Sequence, residues 1–286
     1  MDFLRPTTWE EALAAKADRP EAVPIQGGTD VMVELNFDVR RPTALLDLNR
    51  VAELREWSMT GGHCRVGAGV PYTVVIDELG GPLPGLAQAA RTVGSPQIRN
   101  RGSVGGNLGA ASPAGDSHPP LLAAGAVVEV ESRERGVRMI PAAEFYLGVK
   151  RSALEPDELI RAVHVPPATG PQYFSKVGTR NAMVIAVCSF AVALHPRERR
   201  VGTGLGSAAP TPRRALEAEE LLAAELDWDA PLDPALLRRF GDLCARAAAP
   251  IDDVRGTAAY RVHAIGVMAR RTLTWAWNDH LEKRAA

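Results

Sequence analysis

The sequence predicts an α+β protein built from two domains, and three observations support this. The chain has 286 residues, which suits two domains of about 100–200 residues each. Hydrophobic residues make up 46% and charged residues 23%, a composition that favours packed cores over disorder. Strand and helix patterns are interspersed over the first two thirds, whereas the last third is mainly helical, which is typical of α+β architecture.

The first fifty or so residues predict a small βαβ-type unit. Thr8 and Glu11 have the spacing of a capping box, so a helix is expected from there to about Ala17. The other predicted elements are a strand over 23–26, a helix over 30–35 capped by Thr29, and a strand over 45–48.

The middle of the chain alternates strands and helices around a long glycine-rich stretch, Gly94 to Gly115, which is expected to be a loop. The predicted strands cover 65–70, 126–131, 158–165 and 173–177, and the predicted helices cover 71–79 and 86–93.

The last third predicts two strands, over 184–194 and 201–206, followed by helices over 213–222, 234–248 and 258–277. Prolines 166, 167 and 171 mark the expected domain boundary. We therefore expect a first domain over 1–166, with subdomains of about 1–57 and 58–166, and a second over 167–286.

Charge and cysteine content exclude several classes of protein. The formal net charge is −1, so no basic field for nucleic acid or an anionic membrane is evident. The longest apolar run, 182–194, is shorter than the roughly 20 residues of a membrane span. Cys64, Cys188 and Cys244 are scattered, which predicts buried thiols rather than a metal site or an iron–sulfur cluster. Without an apparent signal peptide, a cytoplasmic location is expected.

Two glycine-rich segments are the candidate binding loops. The first, Pro24-Ile25-Gln26-Gly27-Gly28-Thr29-Asp30-Val31, follows a predicted strand and leads into a helix. Paired glycines allow a ligand to approach the backbone closely, and amides at the start of a helix favour an anion. An ordinary strand-to-helix turn has the same pattern, so this segment alone does not assign a function.

The second segment runs from Ser95 to Asp116 and has few large side chains but many polar ones. Ser103, Asn107 and Ser112 could donate to a phosphate or a ribityl chain, and Asp116 could accept from a sugar hydroxyl or a ring N–H. The flanking segments have apolar patterns typical of packed structure, which favours a functional loop over disorder. A structural crossover remains the alternative.

Other nucleotide and catalytic motifs are missing from the sequence. Neither GxGxxG nor GxxxxGK[ST] occurs, so a dinucleotide-binding Rossmann unit and a P-loop are unsupported. No GxSxG or HExxH occurs either. His118 is the one histidine beside the second segment, and a structural role is favoured over acid–base catalysis there.

The two loops resemble those of a known family, the FAD-binding medium subunits of molybdenum hydroxylases such as xanthine dehydrogenase and carbon monoxide dehydrogenase. The resemblance covers almost the whole chain. It is carried by 26–30, by 92–108 with 111–116, by 176–183, and by two C-terminal segments, 206–215 and 251–261. It implies an FAD-binding PCMH-type domain, like that of vanillyl-alcohol oxidase, of two α/β subdomains, followed by a C-terminal domain of sheet and helices.

The resemblance also implies which residues bind non-covalent FAD. The first loop would contact the diphosphate through backbone amides, and the second would form the opposite wall. Asp116 would hydrogen-bond the cofactor, and Lys176 would place a cation beside the ring. Two residues depart from the family pattern: Asn36 stands where many relatives have a lysine, and Val184 stands where an acidic residue is usual. The implied cofactor residues are Pro24, Ile25, Gln26, Gly27, Gly28, Thr29, Asp30, Val31, Val93, Ser103, Val104, Gly105, Gly106, Asn107, Asp116, Ile160 and Lys176.

The implied function is electron transfer within a heterotrimeric complex. A large subunit would hold the molybdenum cofactor and a small subunit the [2Fe–2S] clusters, while this chain would pass electrons through FAD to NAD⁺ or another acceptor. A xanthine dehydrogenase-type complex is the first expectation. The alternatives are the FAD subunit of a carbon monoxide or aldehyde dehydrogenase, a self-contained FAD oxidase, and a non-catalytic scaffold.

Overall fold

A computed structural model describes residues 1–285. The strands are β1 (Asp2–Leu4), β2 (Val23–Ile25), β3 (Ala44–Asp47), β4 (Trp57–Thr60), β5 (His63–Gly67), β6 (Val127–Ser132), β7 (Gly136–Pro141), β8 (Tyr146–Gly148), β9 (Arg151–Ser152), β10 (Leu159–Val165), β11 (Gln172–Val177), β12 (Cys188–His195) and β13 (Arg200–Gly206). The α-helices are α1 (Trp9–Asp18), α2 (Val31–Asn36), α3 (Tyr72–Glu78), α4 (Pro84–Arg91), α5 (Pro96–Arg101), α6 (Val104–Ala110), α7 (His118–Ala124), α8 (Leu216–Glu225), α9 (Pro234–Ala247) and α10 (Ala258–Ala285).

The N-terminal unit is a parallel sheet in the order β1-β3-β2, which confirms the predicted βαβ-type arrangement. The capping box forms at α1, where the Thr8 side chain accepts from the Glu11 amide. Thr29 as the cap of α2 was a wrong prediction, because that helix begins after Asp30, whose side chain makes no capping hydrogen bond. The amide of Met32 instead donates to the Gly28 carbonyl at 3.1 Å.

The second sheet is antiparallel, in the order β4-β5-β10-β6-β7. Its three central strands correspond to predicted strands. The edge strands β4 and β7 carry mostly exposed residues, and they were not predicted because their alternation of apolar and polar residues is only three or four residues long.

The glycine-rich stretch from Gly94 to Gly115 contains two short helices, α5 and α6, which corrects the expectation of a continuous loop. Serine caps explain both. The Ser95 hydroxyl accepts from the Ile98 amide, and the Ser103 hydroxyl accepts from the Gly106 amide at 3.1 Å. Capping and tertiary packing therefore outweigh the low helix propensity of glycine here.

The third sheet is antiparallel, in the order β11-β12-β13, and every residue of β12 is buried. Phe190, Val192 and Leu194 belong to a core shared with the C-terminal helices. Ala191 and Ala193 contact Ala89 of α4 and Ala123 of α7 instead. Because both faces are covered, β12 has a nearly continuous apolar sequence.

A row of glycines on β13 makes close packing against α7 possible. A Cβ atom added to Gly202 would lie 2.0 Å from the Ala123 carbonyl oxygen, and one added to Gly204 would lie 2.1 Å from the Pro119 carbonyl oxygen. Real Cβ atoms do not approach that closely, so α7 lies directly on the strand backbone. Through this contact α7 joins the N-terminal two thirds of the chain to the C-terminal sheet.

Several element ends differ from the prediction. Strand β12 begins at Cys188 rather than 184. Helix α8 begins at Leu216 rather than 213, because Arg213 forms a β-bridge with Leu205. Helix α10 continues to Ala285, beyond the predicted end at 277. None of the helices in residues 1–285 is long and apolar enough to cross a membrane.

Candidate cofactor-binding site

The two predicted glycine loops meet in the structure. A Cβ atom at Gly27 would lie 2.2 Å from the Arg101 carbonyl oxygen and 3.1 Å from the Gly102 Cα. The backbone of the first loop therefore rests directly on the chain between α5 and α6. Loops some 75 residues apart in sequence thus form one surface, and glycine is required for their approach.

A third segment, Ala68-Gly69 after β5, supports both loops. The Gly105 amide of α6 donates to the Ala68 carbonyl at 3.2 Å. Gly69 lies against the side chain of Gln26, where a Cβ atom would come within 2.7 Å of Nε2. The Gln26 Oε1 atom is buried and has no hydrogen-bond partner among the described residues. An unpaired buried acceptor is costly, so this oxygen is expected to meet a donor from a bound molecule or a water.

Helix α6 has one side free of bulky groups. Ser103, Val104 and Gly105 are buried, Asn107 is half-buried, and Gly106 is exposed. Gly109 is also exposed, and the nearest atom to a Cβ placed there would be Ile160 Cδ1, at 3.8 Å. A planar or extended ligand could therefore lie along this glycine face with Ile160 of β10 at its edge.

Asp116 and Lys176 form a buried ion pair at the end of the second loop. Lys176 Nζ lies 2.5 Å from Asp116 Oδ2, with side-chain exposures of 9% and 6%. The same ammonium donates to the Thr92 carbonyl at 3.2 Å, and the Thr92 hydroxyl donates to Asp116 Oδ2 at 3.0 Å. The other carboxylate oxygen, Oδ1, is buried without a partner among residues 1–285.

The electrostatics of this pair are set by burial. Burial raises the pKa of the Asp116 carboxyl, and the Lys176 ammonium and the Thr92 hydroxyl oppose that effect. Both partners are held away from water, so their charges act strongly on a neighbouring ligand. The free Oδ1 leaves one strong acceptor for a hydroxyl or an N–H group.

Val93 follows Thr92 and is held by Arg99, a residue whose sequence context gives no sign of this role. Arg99 Nη1 donates to the Val93 carbonyl at 3.1 Å and to the Gly94 carbonyl at 3.0 Å. By sequence alone, Arg99 could be a phosphate contact or a solvated surface group. Arg99 lies one turn into α5, and its side chain reaches back to the Val93 and Gly94 carbonyls before that helix. This arrangement depends on how the loop folds.

The remaining predicted residues line the first loop and the periphery. Pro24 and Asp30 are exposed, and Ile25, Gly28, Thr29 and Val31 are half-buried. Asn36 is exposed at the end of α2, and Val184 packs on Gly178, where a Cβ atom would lie 2.4 Å from Val184 Cγ1. Asn107, Asp116 and Lys176 are the polar side chains best placed to contact a ligand.

The residues present fit FAD. Asp116 Oδ1 and Gln26 Oε1 are buried acceptors in need of donors, and the glycine face of α6 leaves room for an extended molecule. A carboxylate beside a ribose or ring N–H, and backbone amides beside a diphosphate, match the chemistry of a flavin dinucleotide. No cluster of His, Cys, Asp and Glu able to hold a metal ion occurs within residues 1–285.

Two family models together match most of the chain. The family model described as the FAD binding domain in molybdopterin dehydrogenase matches residues 1–168. The model described as the CO dehydrogenase flavoprotein C-terminal domain matches residues 173–276. The fold is thus an FAD-binding domain followed by a smaller domain of sheet and helices.

The relatives share almost the full length of the chain. The putative xanthine dehydrogenase FAD-binding subunit of Escherichia coli K12 is 32% identical, with 96% of this chain and 95% of that protein aligned. The carbon monoxide dehydrogenase medium chain of Afipia carboxidovorans is 30% identical over 95% of each chain. A carbon monoxide dehydrogenase structure from Hydrogenophaga pseudoflava superposes with a TM-score of 0.89 at 27% identity, covering 98% of both chains.

The chain belongs to the FAD-binding medium-subunit family of the molybdenum hydroxylases. It is therefore an FAD subunit of an oxidoreductase, and the implied family membership is confirmed. The predicted boundary at 166 and the individual cofactor contacts remain predictions.

Proposed function

We propose that the chain binds FAD non-covalently between the two glycine loops and relays electrons through it. The buried Asp116 carboxylate carries the proposal, because Lys176 and Thr92 hold one oxygen while the other has no partner among the described residues. An unpaired buried acceptor next to a glycine-lined surface is the arrangement expected of a cofactor contact.

Individual residues have distinct roles in this proposal. Backbone groups from Pro24 to Val31 contact the diphosphate, and Ser103 to Asn107 form the opposite wall. Asp116 accepts from the cofactor, while Val93 and Ile160 provide apolar contact. Glycine occupies the positions where the bound cofactor would come closest to the loop backbone.

Bound FAD supplies redox chemistry that couples single-electron donors to two-electron acceptors. The chain itself binds the cofactor, orients it and sets its electrostatic surroundings. Asp116 holds Lys176 beside the site. The positive charge of Lys176 stabilises extra negative charge on the cofactor and so raises the reduction potential of the cofactor. The side chains of Lys176 and Asp116 are themselves almost fully buried, which limits water around that charge.

Within a complex, electrons would come from the [2Fe–2S] clusters of a small subunit and originally from a large subunit that carries the molybdenum cofactor. NAD⁺ is the proposed final acceptor, and a cytoplasmic location is part of the same proposal. Two relatives named for xanthine dehydrogenase, each 32% identical, support a xanthine dehydrogenase-type complex. A carbon monoxide dehydrogenase chain at 30% identity makes that type of complex the second candidate.

Purified chain mixed with FAD provides the first test. We expect a flavin absorbance band that comigrates with the protein on gel filtration at a stoichiometry near one, and release of the flavin by acid precipitation. A chain that takes up no FAD would overturn the proposal, and flavin that stays attached after acid would indicate a covalent flavoprotein oxidase.

Co-purification with the neighbouring subunits tests the complex. Molybdenum and iron in the pulled-down assembly are expected, together with NAD⁺ reduction driven by a purine. Turnover of carbon monoxide or an aldehyde instead would assign the other type of complex, and an assembly without iron would contradict electron relay.

A further inference from the structure

A buried chain of hydrogen bonds lies beneath Asn107, one of the proposed cofactor contacts. Ser117 Oγ is 2.5 Å from Asn107 Oδ1, and Tyr72 OH is 3.3 Å from the same Ser117 Oγ. Ser117 is completely buried and Tyr72 is 2% exposed. These residues come from α3, from the end of the second loop and from α6, so the chain connects three elements under the site.

The direction of these hydrogen bonds follows from what each group can donate. The Asn107 Oδ1 atom only accepts, so Ser117 gives it the single hydroxyl proton. The Ser117 oxygen is then left to accept from Tyr72. Burial raises the pKa of the Tyr72 phenol, so its proton is present to be donated at neutral pH.

Gly115 holds the same oxygen in place from the other side. A Cβ atom at this position would lie 2.7 Å from Asn107 Oδ1 and 2.2 Å from His118 Nε2. The loop backbone therefore packs directly on the amide oxygen. Ser117 and Gly115 together fix Oδ1 on the inner side of α6.

The other end of the amide is left free. Asn107 Nδ2 makes no hydrogen bond with the residues that the structure describes, and Asn107 is half-buried beside the exposed Gly106. With Oδ1 fixed inward, the two N–H donors of Nδ2 are available on the side where the glycine face of α6 is open. An amide free to rotate by half a turn would present an acceptor there half of the time.

We propose that Tyr72 and Ser117 are positioning residues that fix the orientation of the Asn107 amide, so that Nδ2 donates to an acceptor oxygen of FAD. The inference rests on the proposed function, since it requires FAD at this surface. It adds that neither Tyr72 nor Ser117 touches the cofactor. Each acts through Asn107.

The test measures FAD dissociation constants by flavin fluorescence for wild type, Tyr72→Phe, Ser117→Ala and Asn107→Asp. Asn107→Asp keeps an oxygen for Ser117 but replaces the outward donors with an acceptor, so we expect the affinity to fall at least tenfold. Ser117→Ala and Tyr72→Phe are expected to weaken FAD binding about two- to tenfold. Ser117→Thr retains the hydroxyl and is expected to restore binding relative to Ser117→Ala.

An Asn107→Ala background separates positioning from general damage. With no amide to orient, adding Ser117→Ala or Tyr72→Phe is expected to leave the FAD dissociation constant unchanged. Equal losses in both backgrounds would show a merely structural role and overturn the inference. Thermal unfolding of each apoprotein identifies variants that fail to fold. If Ser117→Ala fails to fold, Tyr72→Phe alone tests the positioning role.

The outcomes also separate this inference from the proposed function. If the wild-type chain binds no FAD, the proposed function itself fails. If wild type binds FAD while Ser117→Ala and Tyr72→Phe bind it equally well, or Asn107→Asp binds it as tightly, FAD binding stands and the positioning role is overturned.

Discussion

Lys176 on β11 and Asp116 at the end of the second loop form an ion pair between the C-terminal sheet and the N-terminal two thirds of the chain, with Nζ 2.5 Å from Oδ2. Each partner is almost fully buried, so neither charge is stabilised by bulk water. Such a pair is costly to break because removal of one partner leaves the other charge uncompensated. The contact thus ties the C-terminal sheet to the cofactor surface.

Lys176→Met is therefore expected to lower the free energy of unfolding by about 3–5 kcal/mol near neutral pH. Burial raises the pKa of the Asp116 carboxyl, and loss of the cation would raise it further. A carboxyl with a raised folded-state pKa loses stability as pH rises through that pKa. The deficit of Lys176→Met should consequently be smaller at pH 5 than at pH 8, as measured by urea unfolding.

The double variant Lys176→Met with Asp116→Asn is the control for that experiment. It removes both charges, so most of the stability lost in Lys176→Met is expected to return, although FAD binding is not. A double variant no more stable than Lys176→Met would show that the lysine stabilises the fold through packing rather than by compensating Asp116.

Gly27→Ala tests the contact between the two loops. The new methyl group would overlap the Arg101 carbonyl oxygen, which lies 2.2 Å from the Cβ position, so the loops must separate. We expect FAD occupancy to fall sharply and the unfolding free energy to drop by about 1–3 kcal/mol. Flavin content after gel filtration and urea unfolding provide the two measurements.

Gly81→Ala is the matched control, because nothing lies within 4 Å of its Cβ position and its φ is not positive. It is expected to bind FAD like the wild type. A Gly27→Ala protein with full flavin content would contradict the role of loop contact in the cofactor site.

Much of the fold could be predicted from local patterns. The capping box at Thr8 and the apolar run that becomes β12 both depend on nearby residues, and both were predicted correctly in type. The edge strands β4 and β7 were missed because their alternation of apolar and polar residues extends over four residues or fewer, at the short limit for recognising a strand. The α5 and α6 helices were missed because glycine content suggested a loop, whereas serine caps and packing against Ala68 stabilise helices there.

The candidate site could be predicted only in part. Glycine pairs and Asp116 are visible in the sequence as unusual residues, and the family resemblance placed Lys176 beside them. The ion pair, the Gly27 contact with Arg101 and the role of Arg99 in holding Val93 depend on residues distant in the chain. Ser117 and Tyr72 carry no motif, and only the structure shows that Ser117 contacts Asn107 and that Tyr72 contacts Ser117.

Gly204→Ala tests the interface between β13 and α7. Its methyl group would overlap the Pro119 carbonyl oxygen, 2.1 Å from the Cβ position, and helix and strand would have to move apart. A loss of about 1–3 kcal/mol in the free energy of unfolding is expected. Because Asp116 lies two residues before the start of α7, FAD binding is expected to weaken as well, although Gly204 is on the C-terminal sheet.

Gly80→Ala is the control for the interface, since its nearest neighbour is the Ile76 carbonyl oxygen at an ordinary 3.4 Å. Unchanged stability is expected there. If Gly204→Ala unfolds at the wild-type urea concentration, the strand and helix are not packed as closely as the structure indicates.

His118 gives the protein a pH dependence with a definite sign. Its ring is completely buried, and its Nδ1 lies 2.8 Å from Tyr146 OH. Burial lowers the pKa of this imidazole to about 3 from an ordinary value of 6.5. The unfolded chain therefore binds a proton below pH 6.5 that the folded chain does not, so the stability contributed by neutral His118 is full above 6.5 and is lost as pH falls.

Replacing His118 by Asn removes this titration. Between pH 7 and pH 5 the wild-type protein is expected to lose about 2 kcal/mol more unfolding free energy than His118→Asn, from a limiting slope of about 1.4 kcal/mol per pH unit. Urea unfolding at several pH values measures the difference. Tyr146→Phe is the control, because it removes the hydrogen bond but keeps a buried imidazole, so its curve should lie below that of wild type and parallel to it. Parallel curves for wild type and His118→Asn would instead show that His118 is accessible to protons in the folded protein.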